Sequence, residues 1–383
     1  MTTVTPIRSS QSIAEILESR KLDRDRDVWR KRLADVTASD VETALTWRPG
    51  HYSLEKLLAL ISPAAKSHLE PMAALAHHLT MQRFGRTVRL YAPLYVSNHC
   101  VNRCRYCGFN TDNHFARLRL SVDEAVAEAN VIASEGFRDL LLVSSEDKRF
   151  ITVEYLAKLA QRLRNQFSFI SIEIYQMSAS EYRELFRAGI EGVTLYQETY
   201  DRDAYASYHS SGPKADYDMR LSGPDDMGIA GMREIGLGVL LGLTDWRIET
   251  LALAEHARHL IKSYWQSHVS FSFPRLRPAV GVGPEEYPHL LTDTNLVQMI
   301  LALRLCFADA GIVLSTREPA HLRDHLVKLG VTRMSAGSRT NPGGYHEHTD
   351  STGQFEVSDP RSPAEVAQML RTQGLDPVWK DWE

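Results

Sequence analysis

The sequence predicts an α/β fold, a parallel (β/α)8 barrel of the TIM type, from two observations. Eight short segments rich in apolar and β-branched residues alternate with amphipathic segments from about residue 88 onward. Polar or charged residues follow nearly every one of the eight, at the strand ends where the active sites of such barrels form. A doubly wound open sheet fits the same alternation, and the count of eight favours the barrel.

The eight predicted strands share a length of six to ten residues. They cover residues 88–97, 139–145, 169–176, 192–198, 237–243, 268–274, 311–316 and 332–337. Apolar residues three and four positions apart predict a helix after most of these strands. These helices cover residues 122–135, 152–166, 180–188, 225–234, 247–264, 293–310 and 319–329. Glycines such as Gly189 and Gly330 follow several of them, as is common just beyond a helix.

Two extensions flank the predicted barrel of residues 87–337. Residues 1–86 form an N-terminal helical extension, with helices predicted at about 11–20, 23–35, 39–46, 53–60 and 64–83. Residues 338–383 form a short C-terminal extension packed on the barrel, a polar loop followed by a helix at about 362–373.

Composition narrows the class of protein. The 383 residues are 43% hydrophobic and 24% charged, which is ordinary for a globular chain. The net charge of −4 gives no electrostatic reason to bind nucleic acid or an anionic membrane. No run of 18 apolar residues is present, and the first twelve residues lack the apolar core of a signal peptide. We therefore expect a cytoplasmic protein with neither nucleic acid nor membrane as a partner.

Three of the four cysteines lie within eight residues, in SNHCVNRCRYCGFN after the first predicted strand: Cys100, Cys104 and Cys107. Three thiolates from one loop can bind three irons of a [4Fe–4S] cluster and leave the fourth iron open, whereas electron-transfer clusters use four cysteines. A zinc site with His99 or His114 is the alternative, although structural zinc sites usually have a second short-spaced ligand pair. Cys306 stands apart in an apolar segment and is expected to be a small buried hydrophobe.

The C-x3-C-x2-C spacing, its place after the first strand and the aromatic Tyr106 resemble the signature of the radical S-adenosylmethionine (SAM) superfamily. The resemblance implies two cofactors, a [4Fe–4S] cluster on the three cysteines and SAM on the fourth iron. One electron from the cluster then cleaves SAM and yields a 5′-deoxyadenosyl radical. The cofactors carry this chemistry, and the protein supplies their placement.

A narrower resemblance covers the chain from about residue 40 onward. The segments LYQETY, SFPRLRPAVG, STREP, MSAGSRTNPGGY and the terminal WKDW are similar to those of 2-iminoacetate synthases, the ThiH tyrosine lyases. The resemblance implies cleavage of the Cα–Cβ bond of L-tyrosine to 2-iminoacetate (dehydroglycine) and p-cresol, for the thiazole of thiamine. It also implies two protein partners, a thiazole synthase and a flavodoxin or ferredoxin that donates electrons.

Three other functions compete with this interpretation. A related maturase makes cyanide and carbon monoxide from tyrosine with a second cysteine cluster, whereas no cysteine follows Cys306 here. A radical SAM lyase acting on tryptophan or another aromatic amino acid stays open. A non-catalytic zinc-binding protein is the alternative from another class.

The resemblance assigns two residues to the methionine part of SAM. Glu146 follows the second strand and would bind the ammonium group, although Ser145 stands where the family pattern has glycine. The alternative is a surface carboxylate. Arg220 would bind the carboxylate as a bidentate fork, and an ion pair with Asp218 or Asp225 is its alternative.

The nucleoside part of SAM would contact three other residues. Gln197 and Glu198, after the fourth strand, would bind the ribose hydroxyls, with a loop contact as the alternative. Tyr106 would lie beside the adenine, and plain packing under the cysteine loop is its alternative.

The head group of the substrate would bind at the seventh, eighth and first strands. Arg317 would bind the carboxylate, unless it pairs with Glu318. Ser335, or alternatively Ser338, would bind the same carboxylate or the amine, unless it caps a helix. Tyr95 would contact the amine, and a core position is its alternative. These residues are the predicted catalytic group.

Overall fold

A computed structural model describes residues 11–346 and 351–380. The predictions made for residues 1–10 and for the last two residues of the WKDW motif lie outside these ranges. Eight parallel strands form the barrel: β1 (Thr87–Ser97), β2 (Asp139–Ser144), β3 (Phe169–Glu173), β4 (Gly192–Glu198), β5 (Glu234–Val239), β6 (His268–Ser272), β7 (Gly311–Leu314) and β8 (Arg333–Ser335). Each strand pairs with the next, and β1 pairs with both β2 and β8, so the sheet closes as predicted.

Helices α1–α5 precede the barrel: α1 (Ile13–Ser19), α2 (Asp27–Asp35), α3 (Ala38–Thr46), α4 (Leu54–Ile61) and α5 (Leu69–Phe84). The segment predicted as one helix at 64–83 divides into a 3-10 helix at Pro63–His68 and α5. Their apolar residues belong to the same core as the barrel, since Leu17 and Leu57 share one cluster with Leu303 and Ile312. The extension is thus part of the packed core rather than a separate layer.

The helices of the barrel follow its strands in order. They are α6 (Val122–Ser134), α7 (Val153–Leu163), α8 (Ala179–Ala188), α9 (Arg202–Tyr208), α10 (Tyr217–Ala230), α11 (Trp246–Ser263), α12 (Asp293–Cys306) and α13 (Ala320–Leu326). Within the two described ranges, none of the helices has the length and apolar character needed to cross a membrane.

The connection between β4 and β5 was predicted wrongly. The sequence indicated one helix at 225–234, whereas the structure has α9 and α10, and α10 contains Pro224. Proline and glycine usually interrupt helices, so the segment before residue 225 was not recognised as helical. Here Gly223 serves close packing, because a Cβ at this position would lie 2.6 Å from the side chain of Leu195 in β4.

The loop of the C-terminal extension lies at the carboxyl ends of the strands. Tyr345 anchors its loop, since its hydroxyl donates to the carbonyl of Pro93 at 2.8 Å and its backbone N–H donates to Glu128 at 2.7 Å. After the loop come α14 (Pro363–Thr372) and a strand that was not predicted, β9 (Asp376–Val378). This strand pairs with the first three residues of the long β1, and three residues are too few to show a strand pattern.

Buried charges lie at the amino ends of the strands. Arg333 binds Asp139 at 2.5 Å and Glu234 at 3.2 Å, and Arg89 binds Asp139 at 2.8 Å. Ser270 donates a further hydrogen bond to Glu234 at 3.0 Å. Arg333, Asp139 and Glu234 are almost wholly buried, and each has its charge balanced by a neighbour.

Candidate active site

Two adjoining cavities open at the carboxyl ends of the strands. The larger has a volume of about 920 Å³ and is lined by all three clustered cysteines. The smaller has about 470 Å³ and lies among β1, β2, β7 and β8. The two share six lining residues: Val143, Glu173, Tyr196, Pro274, Arg317 and Phe355. A ligand bound at the cysteines would therefore adjoin one bound in the smaller cavity.

The cysteine loop faces the larger cavity, and all its cysteines are free thiols. Burial raises the pKa of Cys104 to about 12, so binding to iron would release a proton. Within the described ranges, no three His, Cys, Asp or Glu side chains converge as ligands of a single metal ion. The three thiols line one cavity, as three cysteines that each bind one iron of a cluster would.

Asn102 connects this loop to two others. Its Nδ2 donates to Glu146 at 2.7 Å, and its Oδ1 accepts from the backbone N–H of Lys214 at 2.9 Å. Gly212 allows the second approach, because its φ is +95° and a Cβ would lie 2.3 Å from Asn102 Oδ1. Asn102 was not predicted as a site residue, because both of its partners, Glu146 and Lys214, are distant from it in the sequence.

Glu146 lines the larger cavity and is only 7% exposed, which rules out the surface-carboxylate alternative. Beside it, the buried hydroxyl of Ser145 has no hydrogen-bond partner among the described residues. The serine that replaces the family's glycine is therefore accommodated, and its hydroxyl stands next to the predicted ammonium site.

Glu198 lines the larger cavity with a backbone φ of +68°, a left-handed conformation that is strained for this residue. Its pairing with β5 shifts register between Tyr196 and Glu198, so both side chains reach the cavity. Gln197, between them, lines neither cavity, and its buried amide has no described partner. The structure therefore brings Gln197 to neither cavity, and its contact with the ribose stays a prediction.

An ion pair at 2.6 Å joins Glu198 to Lys214. Burial opposes ionisation of Glu198, but the ammonium of Lys214 outweighs it and lowers the pKa of this carboxyl below its usual value. The sequence offered no signal for Lys214, which lies in a short 3-10 helix, Pro213–Ala215, before α10.

Arg220 lines the larger cavity, and its Nε donates to the carbonyl of Tyr196 at 2.8 Å. Both alternative partners are bound elsewhere, since Asp218 pairs with Arg202 and Asp225 with a histidine of α11. The guanidinium is thus fixed at the cavity wall by a backbone contact rather than neutralised by a carboxylate.

Tyr106 is fixed at the wall by His209, whose Nε2 lies 2.6 Å from the tyrosine hydroxyl. Burial lowers the pKa of His209 to about 3, so this imidazole is neutral at physiological pH. Its Nδ1 lies 2.8 Å from the carbonyl of Tyr205 and must donate there, which leaves Nε2 to accept from Tyr106. The ring keeps one fixed orientation in the cavity.

Arg317 lines both cavities and packs its guanidinium 3.5 Å from the ring centroid of Phe355. Glu318, its alternative partner, is bound by Arg275 and Arg277 instead. No carboxylate of the described residues forms an ion pair with Arg317, so it is available to an anionic ligand.

Two serines line the smaller cavity beside Arg317. Ser335 accepts from the backbone N–H of Thr316 at 3.1 Å, and the buried hydroxyl of Ser338 has no described partner. Neither caps a helix, since the next helix is capped by Ser362. Both serines are therefore placed to contact a ligand.

Tyr95 is 4% exposed and lines the smaller cavity. Its hydroxyl donates to Gln354 at 2.7 Å, a residue of the C-terminal loop that sequence reasoning missed. Phe355, also missed, forms part of the wall between the two cavities. The loop therefore completes the site rather than merely packing on the barrel.

Glu173, the last residue of β3, was also missed, because this strand was predicted to continue to residue 176. Burial raises the pKa of Glu173 to about 7, against the opposing effect of Arg317. It is a carboxyl group that can change its protonation state near neutral pH.

The barrel and the cysteine loop define the class of this protein as a radical SAM enzyme. Residues 94–254 match the family model of the Radical SAM superfamily, and residues 272–376 match the Biotin and Thiamin Synthesis associated domain. The chain is 44% identical over 355 residues to the 2-iminoacetate synthase of Salmonella typhimurium, covering 92% of this chain and 93% of that protein. It is 43% identical over 365 residues to the one of Escherichia coli, covering 95% of each. The chain belongs to the 2-iminoacetate synthase family.

Solved structures show the same architecture. The crystal structure of HydG, a maturase of the [FeFe]-hydrogenase, is 32% identical with a TM-score of 0.87, covering 94% of this chain and 81% of that one. Methylornithine synthase (PylB) is 21% identical with a TM-score of 0.69, covering 88% of this chain and 97% of that one, and shows the fold alone.

Proposed function

We propose that this protein cleaves the Cα–Cβ bond of L-tyrosine to 2-iminoacetate and p-cresol, which provides the imine for the thiazole of thiamine. The observation that carries the proposal is Arg317, a guanidinium without a carboxylate partner among the described residues, in a cavity that adjoins the cysteine loop. Membership of the 2-iminoacetate synthase family supports the choice of substrate.

Cys100, Cys104 and Cys107 would hold a [4Fe–4S] cluster, and SAM would bind beside it. When bound, these groups would supply a 5′-deoxyadenosyl radical, the species that takes a hydrogen atom from the substrate nitrogen. Glu146, with Asn102 at 2.7 Å fixing its carboxylate, would bind the ammonium of SAM.

The remaining contacts to SAM come from three elements. Arg220 of α10 would bind the carboxylate, because its guanidinium is fixed by the carbonyl of Tyr196. Glu198 would bind the ribose hydroxyls, since its pair with Lys214 keeps the carboxylate ionised. Tyr106 would lie beside the adenine, with the orientation set by His209.

The substrate would occupy the smaller cavity. Arg317 would bind its carboxylate, and the serine hydroxyls of Ser335 and Ser338 would bind the same group or the amine. Tyr95, oriented by Gln354, would face the nitrogen. Such positioning decides which hydrogen atom the radical reaches, and Phe355 limits the access of water to the reacting atoms.

The reaction needs two protein partners and a reducing compartment. A flavodoxin or ferredoxin would supply single electrons, and a thiazole synthase would take the imine before it hydrolyses. All four cysteines are free, which fits the cytoplasm.

The test is anaerobic reconstitution with iron and sulfide, followed by SAM, a reductant and L-tyrosine. We expect p-cresol by chromatography in the wild type and none in Cys104→Ala, with Cys306→Ala as the matched control that retains activity. If 5′-deoxyadenosine forms with tryptophan and no p-cresol forms from tyrosine, the substrate is tryptophan rather than tyrosine. Failure to form 5′-deoxyadenosine with any aromatic amino acid would refute the lyase.

A further inference from the structure

The proposed reaction leaves one carboxyl group of the site without a role. Glu173 lies at the end of β3 and lines both cavities. Among the residues that line the smaller cavity, it is the only carboxylate. Placing a carboxylate in such a cavity costs free energy, because the charge loses contact with bulk water. A carboxylate beside a substrate is therefore expected to bind a group of the ligand or to take up a proton.

The position of Glu173 in the barrel relates it to Arg317. Three strands lie between β3 and β7 in either direction around the eight-stranded barrel, so their carboxyl ends lie on opposite sides. Arg317 follows β7, and Glu173 ends β3. An amino acid whose carboxylate binds Arg317 therefore extends its side chain across the cavity toward Glu173.

The wall on the β3 side suits an aromatic ring with a polar tip. Leu141 and Val143 of β2 provide apolar surface in the smaller cavity. The hydroxyl of Tyr196 donates to Ser272 at 2.8 Å, and that of Tyr95 donates to Gln354 at 2.7 Å. Among the groups of this wall, Glu173 is the strong acceptor, and a hydrogen bond from the hydroxyl of Tyr196 also favours its ionised form.

The charges around Glu173 allow it to take a proton. Burial disfavours its ionised form, and Glu198 acts in the same direction. Arg317, Lys214 and the hydroxyl of Tyr196 act in the opposite direction. The buried phenols nearby, such as Tyr95, stay protonated because burial raises their pKa well above the usual value.

We propose that Glu173 accepts the hydrogen bond of the substrate phenol and removes its proton as the Cα–Cβ bond breaks, an inference that rests on the proposed tyrosine lyase activity. One electron of the broken bond pairs with the unpaired electron on nitrogen and forms the C=N bond of 2-iminoacetate. The other stays on the benzylic carbon, while the phenol proton moves to the Glu173 carboxylate.

The leaving group then departs as a 4-oxidobenzyl radical anion, whose charge and unpaired electron spread over the ring and oxygen. One electron from the flavodoxin or ferredoxin and one proton from solvent convert its benzylic carbon to a methyl group. Glu173 returns its own proton to the oxygen, which gives p-cresol and restores the carboxylate.

The same contact would set specificity. A site built to bind a hydroxyl rejects an analogue that lacks it, because its buried polar group is then left unpaired. Glu173 would thus favour tyrosine over phenylalanine in binding, before any bond is broken.

Substrate binding gives the first test. Tyrosine and phenylalanine are titrated calorimetrically into the reconstituted, SAM-loaded enzyme without a reductant, so that no turnover occurs. We expect Glu173→Leu to lose the preference for tyrosine by at least tenfold, on the order of 1.4 kcal/mol. Glu181→Gln, a substitution at the next helix α8 outside the site, is the matched control and should keep the preference.

The second test measures coupling, defined as the amount of p-cresol formed per 5′-deoxyadenosine. In Glu173→Gln we expect at least tenfold less p-cresol per 5′-deoxyadenosine than in the wild type. A ring-fluorinated tyrosine has a more acidic phenol, so it should restore part of the coupling in Glu173→Gln. It should not restore coupling in Ser335→Ala, whose defect would lie at the head group.

The outcomes separate this inference from the proposed function. If the wild type makes p-cresol but the Glu173 variants keep both the tyrosine preference and the coupling, the role of Glu173 is refuted and the lyase stands. If the wild type makes no p-cresol from tyrosine, the lyase is refuted and the proton transfer with it.

Discussion

At the amino ends of the strands, Arg333 shares Asp139 and Glu234 with a second arginine, whereas at the carboxyl ends Arg317 and Glu173 face an open cavity. Both ends place charged side chains inside the same barrel. At the amino ends every charge has a partner within about 3 Å. At the carboxyl ends the guanidinium of Arg317 lies over the face of Phe355 and forms no ion pair among the described residues.

The contrast separates charges that support the fold from charges that await a ligand. A buried ion network is costly to break because one partner is left uncompensated. An arginine held in place beside a cavity does not add comparable stability, but it binds a ligand without reorganising. Burial alone thus does not identify a functional residue, and the absence of an internal partner is the more useful sign.

The largest expected effect is at the amino ends. Arg333→Met leaves Asp139 and Glu234 buried with too little positive charge, so we expect a loss of about 3–5 kcal/mol in the free energy of unfolding. Urea denaturation of the wild type and the variant measures this. If the variant instead unfolds at the urea concentration of the wild type, the network does not support the fold.

At the carboxyl ends, Arg317→Met should behave in the opposite manner. We expect less than about 1 kcal/mol of lost stability, and tyrosine binding weakened about 100-fold because a charge-assisted bond to its carboxylate is gone. Calorimetric titration of tyrosine and urea denaturation check the two parts, with the exposed Arg149→Met as a control. A large loss of stability in Arg317→Met would contradict the comparison.

Lys214 lies between the two extremes, since it is paired and also lines the larger cavity. Lys214→Met leaves Glu198 without its partner, so we expect about 1–3 kcal/mol of lost stability. SAM should bind about tenfold more weakly, because a carboxylate that protonates more easily binds the ribose less well. Equilibrium dialysis of SAM tests this, and the surface variant Lys158→Met should match the wild type.

The smallest effect is a pH dependence of stability. Burial raises the pKa of Glu173 to about 7 from its usual 4.5, so its contribution to stability is complete below 4.5 and is lost as the pH rises through 7. Relative to Glu173→Gln, the wild type should lose about 2 kcal/mol between pH 5 and pH 8. Urea denaturation across this range measures the difference, and parallel curves for the two proteins would disprove the shifted pKa.

Much of the site was predictable because it follows local rules. The three cysteines have a spacing that points to one chemistry, and Arg317 and Glu146 come directly after strands, where barrels gather their active sites. Glu173 obeys the same rule at the end of β3, but the strand was predicted as 169–176, which placed Glu173 inside it.

Other features depended on contacts that no local pattern records. The register shift between β4 and β5 turned Gln197 away from the cavity and brought in Tyr196. Lys214, in a short 3-10 helix, and Gln354, in the C-terminal loop, reach the site from positions far from the cysteines along the chain. Helix α10 was misplaced because its proline and glycines serve packing on β4 rather than helix termination.

The sequence by itself determined the barrel, the cysteine loop and the position of Arg317, because hydrophobic periodicity and ligand spacing are properties of neighbouring residues. Only the tertiary structure decided which charges are paired. The partners of Arg333, and the lack of an ion-pair partner for Arg317 among the described residues, depend on where distant strand ends meet. Charges interact through space rather than along the chain, so the distinction between a structural and a functional charge exists only in the folded protein.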